Sequence, residues 1–129
     1  MLPEKPWMRV HLDHAINFMG SNYFVLVDSY SKYPWIEATQ SVSSNATTDI
    51  LEKVCAHFGY MHTLVTDNHA GLTSDEFQTW CKERGIVQLR GAPYFPASNG
   101  LAERMMQTFK QALRKSSLPP KRALQEFLM

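Results

Sequence analysis

The chain has 129 residues, 44% hydrophobic and 19% charged, enough to bury one sizeable core and too apolar for a disordered segment or a small stapled scaffold. Thirteen Lys and Arg against twelve Asp and Glu leave a net charge of +1, short of the basic footprint of a stand-alone nucleic-acid binder. No apolar run approaches the roughly 20 residues of a membrane span, and Met1-Leu2-Pro3-Glu4-Lys5-Pro6 lacks the shape of a secretory leader, so a soluble, intracellular protein without a membrane partner is expected.

In chain order, Met8, Val10 and Leu12 alternate with Arg9, His11 and Asp13, which predicts a strand with Asp13 near its end. Met19-Gly20-Ser21-Asn22 reads as a turn, and the continuous apolar run Tyr23–Val27 suits a central strand covered on both faces. Asp28–Lys32 turns the chain into a third strand near Trp35–Ala38, completing an antiparallel meander. Ile50, Leu51, Val54, Cys55 and Phe58 recur at helical spacing, predicting a helix from about Asn45 to Phe58, capped by Ser44 and ended by Gly59.

Thr63–Thr66 is a short strand that delivers Asp67 at its end. Thr73-Ser74-Asp75-Glu76 reads as a capping box opening a helix through Arg84, stopped by Gly85, and Ile86–Leu89 makes a fifth strand. Gly91, Pro93 and Pro96 make Arg90–Ser98 a loop; Asn99 or Ser98 then caps a helix from Gly100 to about Lys115. Pro119-Pro120 breaks that helix, and Lys121–Met129 begins another that the chain end is expected to interrupt inside its native domain. The pattern by itself supports a mixed α/β sandwich.

Asp67 and Glu103 have thirty-five residues between them, each at a polar loop-to-helix junction, and Asp13 lies upstream in an apolar strand. Three separated carboxylates are what two divalent cations roughly 3.5–4 Å apart require at a phosphoryl-transfer site, because neutral side chains cannot hold that much positive charge. Two Mg²⁺ or Mn²⁺ ions would add four positive charges to the net +1, giving +5 and linking metal loading to DNA binding. Other readings stand beside this one: a satisfied strand acid at Asp13, an Asx turn at Asp67 and a helix-dipole complement at Glu103.

The strings Val10-His11-Leu12-Asp13, Leu26-Val27-Asp28-Ser29-Tyr30-Ser31-Lys32-Tyr33, Val65-Thr66-Asp67-Asn68 and Pro93-Tyr94-Phe95-Pro96-Ala97-Ser98-Asn99-Gly100-Leu101-Ala102-Glu103-Arg104 resemble the catalytic core of retroviral and Gypsy-type retrotransposon integrases over nearly the whole chain. The resemblance implies a ribonuclease-H-like fold with a five-stranded mixed sheet, three antiparallel strands then two parallel, in which the first and fourth strands are neighbours. It implies that Asp13, Asp67 and Glu103 are the catalytic and metal-binding residues of a nuclear enzyme that trims DNA 3′ ends and joins them to target DNA. DNA and further copies of the chain, as a dimer or higher oligomer, are the expected partners. The family's zinc-binding amino-terminal module and carboxy-terminal DNA-binding domain are expected to lie outside this sequence.

Asn99, Glu103, Gln107, Lys110 and Arg114 share one helix face, with Ala102, Met105, Phe109, Ala112 and Leu113 opposite. A solvated face explains such stripes in general; the resemblance favours DNA contact by Lys110, Gln107, Asn99 and Tyr94, and more weakly by Arg114, Lys115, Lys121 and Arg122. Asp28 reads as a structural turn cap. Cys55 and Cys81 lack a CxxC partner and read as buried reduced thiols; His57 and His62 straddle Gly59 and point apart, which argues against zinc.

After Asp67-Asn68 the resembling integrases continue with Gly, Pro, Gln, Phe, whereas this chain has His69, Ala70, Gly71 and Leu72, and His14 replaces an apolar aromatic. An imidazole at position 69 is expected to perturb Asp67 or to add a ligand. These departures leave a second expectation open: a host-adopted module with weak or no catalysis that binds DNA or protein. A ribonuclease H shares the chemistry but not the Pro93–Glu103 string.

Overall fold

Alternation from Val10 to Ala15 divides the side chains of the first strand between two separate cores, and the rest of the architecture follows from that division. The computed structural model describes residues 5–90 and 100–129. Strands β1 (Arg9–Phe18), β2 (Ser21–Asp28), β3 (Pro34–Thr39), β4 (Thr63–Thr66) and β5 (Val87–Arg90) form one sheet in the order β3-β2-β1-β4-β5. The first three pair antiparallel; β1 with β4 and β4 with β5 pair parallel, the arrangement the family resemblance implies.

Helices α1 (Ser44–Phe58), α2 (Ala70–Thr73) and α3 (Asp75–Glu83) belong to one side, α4 (Gly100–Lys115) and α5 (Pro120–Leu128) to the other. On the first side Val10, Leu12, Phe24 and Leu26 pack with Leu51, Val54, Phe77 and Trp80. On the second, Ala15, Tyr23, Val25 and Val27 pack with Met106, Phe109, Leu113 and Leu124. Burying a Leu- or Phe-sized side chain contributes about 1.5–3 kcal/mol, so both helical layers are held mainly by these faces. Among the described residues no helix is long and apolar enough to cross a membrane.

The first strand is longer than its alternation predicts. Pairing with β2 continues through His14↔Phe24 and Ala15↔Tyr23, shifts register, and closes at Phe18↔Ser21, so Asp13 stands mid-strand and not near the end. The turn is Met19-Gly20 alone, with φ of 50° and 84°, the two positive values that match the twist of a two-residue hairpin; Ser21 and Asn22 already belong to β2.

Several boundaries move by one residue for local reasons. Ser43, not Ser44, caps α1 by accepting from the Ala46 N–H at 3.2 Å, while the buried Ser44 hydroxyl donates to the Gly71 carbonyl at 2.8 Å. Thr73 is committed to α2, so Ser74 caps α3 and accepts from the Phe77 N–H at 3.1 Å in place of a Thr73–Glu76 box. In α4 the fully covered methionine is Met106, with Met105 half-buried. Pro120 opens α5, where its missing N–H costs nothing. Asp28 is the turn cap expected of it: buried, it accepts from Trp7 N–H at 3.1 Å, Ser31 N–H at 3.2 Å and the Ser31 hydroxyl at 2.7 Å.

Cys55 and Cys81 are free and buried, and burial pushes their thiols up to about 11 and about 12. Thiolate is the reactive form. Both cysteines are therefore expected to resist an aromatic disulfide reagent at about pH 8 in the native protein and to react together once it unfolds, a difference read directly by absorbance.

Candidate active site

The parallel ladder between β1 and β4 ends at Leu12↔Thr66. Each strand's next residue is an aspartate, so the register continued by one step sets Asp13 opposite Asp67 at the neighbouring-strand spacing of about 4.8 Å. Both are half-buried on the α4 side of the sheet, since Asp13 shares the β1 face of Ala15. Burial pushes the Asp13 carboxyl up to about 7; the His14 N–H donating at 2.8 Å opposes this, and Asp67 and Glu103 add to the rise through like-charge repulsion, Asp67 also through a side-chain hydrogen bond.

Glu103 is exposed in the first turn of α4, held at this end of the sheet by the buried Ala102 and Met106 on either side of it in sequence. It reaches Asp13 through its field. Among the described residues no three His, Cys, Asp or Glu side chains are already gathered closely enough to enclose an ion. The arrangement is two neighbouring aspartates, with a third carboxylate whose field reaches Asp13.

The opposite face of the same strand ends carries histidines. His14 is buried, 8% exposed, and its Nδ1 lies 2.8 Å from Nε2 of His69; its Nε2 lies 3.2 Å from the Thr47 hydroxyl on α1. His69 caps the four-residue α2, its Nδ1 accepting from the Gly71 N–H at 3.2 Å, while its own N–H donates to Asp67 Oδ1 at 3.2 Å. Both His69 ring nitrogens are engaged, one by backbone and one by His14. Burial, helped by His69, pushes His14 down to about 4, with Asp67 pulling the other way.

His11 went unremarked in the sequence beyond its alternation. It lies on the Asp13 face, 5% exposed, and among the described residues its Nδ1 has no hydrogen-bond partner; burial, with Arg9 and Lys32 near by, pushes it down to about 4. No local pattern in the sequence marks it, because its burial comes from pairing on both sides with Val27 and Val65.

Further along α4, Gln107 and Arg114 are exposed and Lys110 is half-buried. The Lys110 ammonium lies 5.5 Å and the Arg114 guanidinium 5.2 Å from the centre of the Phe18 ring, within cation–π range, so one aromatic at the far end of β1 seats both cations. Lys115, Lys121 and Arg122 are also exposed. Tyr94 and Asn99, together with the proposed Ser98 or Asn99 cap, lie outside the described residues.

The integrase core domain family matches residues 9–96. This chain belongs to that family. The integrase core is 40% identical over 114 residues to the uncharacterized protein K02A2.6 of Caenorhabditis elegans, covering 88% of the chain and 9% of that protein. It spans about a tenth of the length of the curated relatives it matches. Among solved structures, a chain of the simian T-cell lymphotropic virus intasome in complex with PP2A regulatory subunit B56 gamma superposes with TM-score 0.80 at 27% identity, over 95% of this chain and 47% of that one. The HTLV-2 integrase catalytic core domain in complex with magnesium gives TM-score 0.74 at 22% identity, over 95% and 83%, a likeness of fold.

The charge state of the integrase core carries a pH signature. Asp13, raised from 3.8 to about 7, holds a proton that the unfolded chain releases, so its contribution to stability is full below about pH 4 and lost as pH rises through 7. His11 and His14, lowered from 6.5 to about 4, act with the opposite sign, adding stability as pH rises towards 6.5. The wild-type melting curve mixes the two. In divalent-free buffer the melting temperature of Asp13→Asn relative to wild type is expected to climb between about pH 4 and 7 and to flatten above, as followed by scanning calorimetry.

Proposed function

We propose that this chain is the catalytic core of a metal-dependent DNA strand transferase in which Asp13, Asp67 and Glu103 hold two Mg²⁺ or Mn²⁺ ions. The observation that carries the reading is the parallel β1–β4 register, which one step beyond Leu12↔Thr66 sets Asp13 opposite Asp67, with Glu103 adding to the rise of the Asp13 carboxyl. Three carboxylates are a hard-oxygen donor set suited to Mg²⁺ or Mn²⁺, and their mutual repulsion is the kind a divalent cation relieves. The magnesium in the HTLV-2 core structure adds support for the choice of metal. When bound, such ions supply Lewis-acid activation of an attacking oxygen and neutralise charge developing at phosphorus.

The chain's own residues do the rest. Asp13 on β1 and Asp67 directly after β4 present their carboxylates from neighbouring positions, and Glu103 on the exposed first turn of α4 would complete the set. Lys110 and Arg114, seated on Phe18, and Gln107 between them and Glu103 guide the phosphate backbone away from the reacting bond. Tyr94 and Asn99 are assigned to the DNA end. In end trimming, water forms the new P–O bond as the bond to the 3′ oxygen breaks; in joining, that 3′ hydroxyl attacks a target phosphodiester and a target 3′ oxygen leaves. Both are in-line substitutions, so one site serves both without a covalent protein intermediate. Joining two ends to one target calls for an oligomer and for segments beyond this core.

The test is a Mn²⁺-dependent nicking assay on a labelled duplex, with melting temperature followed in parallel. Wild-type protein is expected to nick and to melt higher with Mn²⁺, and Asp13→Asn and Asp67→Asn to lose both responses. Replacing both Lys110 and Arg114 by Ala should weaken DNA binding for every sequence and reduce the log-affinity against log-salt slope by about 2. Nicking that survives Asp67→Asn would refute the assignment. Absence of any Mn²⁺ response in the wild type would leave a host-adopted DNA- or protein-binding module.

A further inference from the structure

We propose that His14 and His69 form a cross-strand staple that fixes the Asp67 loop against the Asp13 strand, making His69 a positioning residue for the acidic pair. The inference deepens the ligand reading above and rests on it for its functional meaning. The last backbone rung between β1 and β4 is Leu12↔Thr66, so nothing in the ladder itself holds the two chains together at Asp13 and Asp67. One residue beyond Asp13, and two beyond Asp67, the 2.8 Å contact of His14 Nδ1 with His69 Nε2 supplies the missing tie from the opposite face.

Each histidine also orients one acid through its backbone. The His14 N–H donates to Asp13 Oδ1 at 2.8 Å and the His69 N–H to Asp67 Oδ1 at 3.2 Å. Tying the rings therefore ties the two amides that aim the carboxylates.

The proton positions follow from one backbone donor. Gly71 N–H points at His69 Nδ1, so that nitrogen accepts and the ring proton sits on Nε2. It is donated to His14 Nδ1, which leaves the His14 proton on Nε2, facing the Thr47 hydroxyl at 3.2 Å. The chain of three bonds has a single direction and ends on buried Thr47 of α1. A second proton on either ring would oppose N–H to N–H, so the geometry belongs to two neutral imidazoles.

The base of the staple is firmly docked. Ser44 donates to the Gly71 carbonyl at 2.8 Å, and a Cβ at Gly71 would come within 2.2 Å of the Val42 carbonyl and 3.0 Å of the His69 ring, which leaves this position to glycine. A plain helix-capping role for His69 would need Nδ1 alone, and a short asparagine amide could fill it. Only an imidazole caps α2 with one nitrogen and crosses to β1 with the other.

His69→Asn therefore separates the two roles, keeping the cap and removing the staple, and His14→Phe removes the acceptor while keeping an aromatic against Phe24. Nitrogen-detected NMR of the wild type without metal should find both rings neutral and protonated on Nε2. Mn²⁺ titration by calorimetry should give affinities roughly tenfold or more weaker in His69→Asn and in His14→Phe, with the double variant no weaker than either single one. Wild-type affinity in His69→Asn, or a His69 proton on Nδ1, would overturn the staple while leaving the ligand assignment standing. If the wild type binds no Mn²⁺, the ligand assignment falls, and amide exchange decides the staple alone: faster exchange at Asp67–Gly71 in both single variants supports it, and unchanged exchange refutes it.

Discussion

The parallel pairing of β1 with β4 is the constraint on which the site depends. It draws together two stretches of chain separated by a hairpin, a third strand and a fifteen-residue helix, and its final rung, Leu12↔Thr66, leaves an aspartate next in line on each side. Moving that register by one residue would send the acids to opposite faces of the sheet. What prevents the slip is burial on both faces: Val10, Leu12 and Leu64 are committed to one core and Val27 and Ala15 to the other. The hydrophobic effect thus specifies the position of charged groups that it does not itself stabilise.

Charge at that point is expensive, and the surroundings answer the cost differently on the two faces. On the α4 face the aspartates repel each other with Glu103 near by, and Asp13 keeps its proton to near neutral pH. On the α1 face burial pushes His14 down to about 4, and its ring nitrogens face His69 and the Thr47 hydroxyl. Neutral donors behind the acids aim them without cancelling the negative charge that a cation would meet. An arginine or lysine in the same place would pair with the aspartates and compete with metal.

The chain belongs to the integrase core family, and the surroundings of its second aspartate are built by residues 68–73. The residues after Asp67-Asn68 build a single-turn helix whose cap is a side chain and whose glycine lies two positions later, against Val42. Of the α2 residues only Leu72 enters a core, where it is fully buried in the first of the two.

The amino-acid sequence by itself determined the element order apart from the one-turn α2, the two helical faces, the buried thiols and the spacing of Asp67 from Glu103, because periodicity, caps and glycine stops act within a few residues. It located Asp28 as a cap for the same reason. Strand order came from family resemblance, since alternation says which face a residue takes and not which strand lies beside it. Only the tertiary structure decided that His14 meets His69, that His11 is buried without a partner, that Met106 and not Met105 fills the core, and that Lys110 and Arg114 share Phe18. Each of these depends on a neighbour far away along the chain, and a ring nitrogen's partner is set by where two strands and a helix converge.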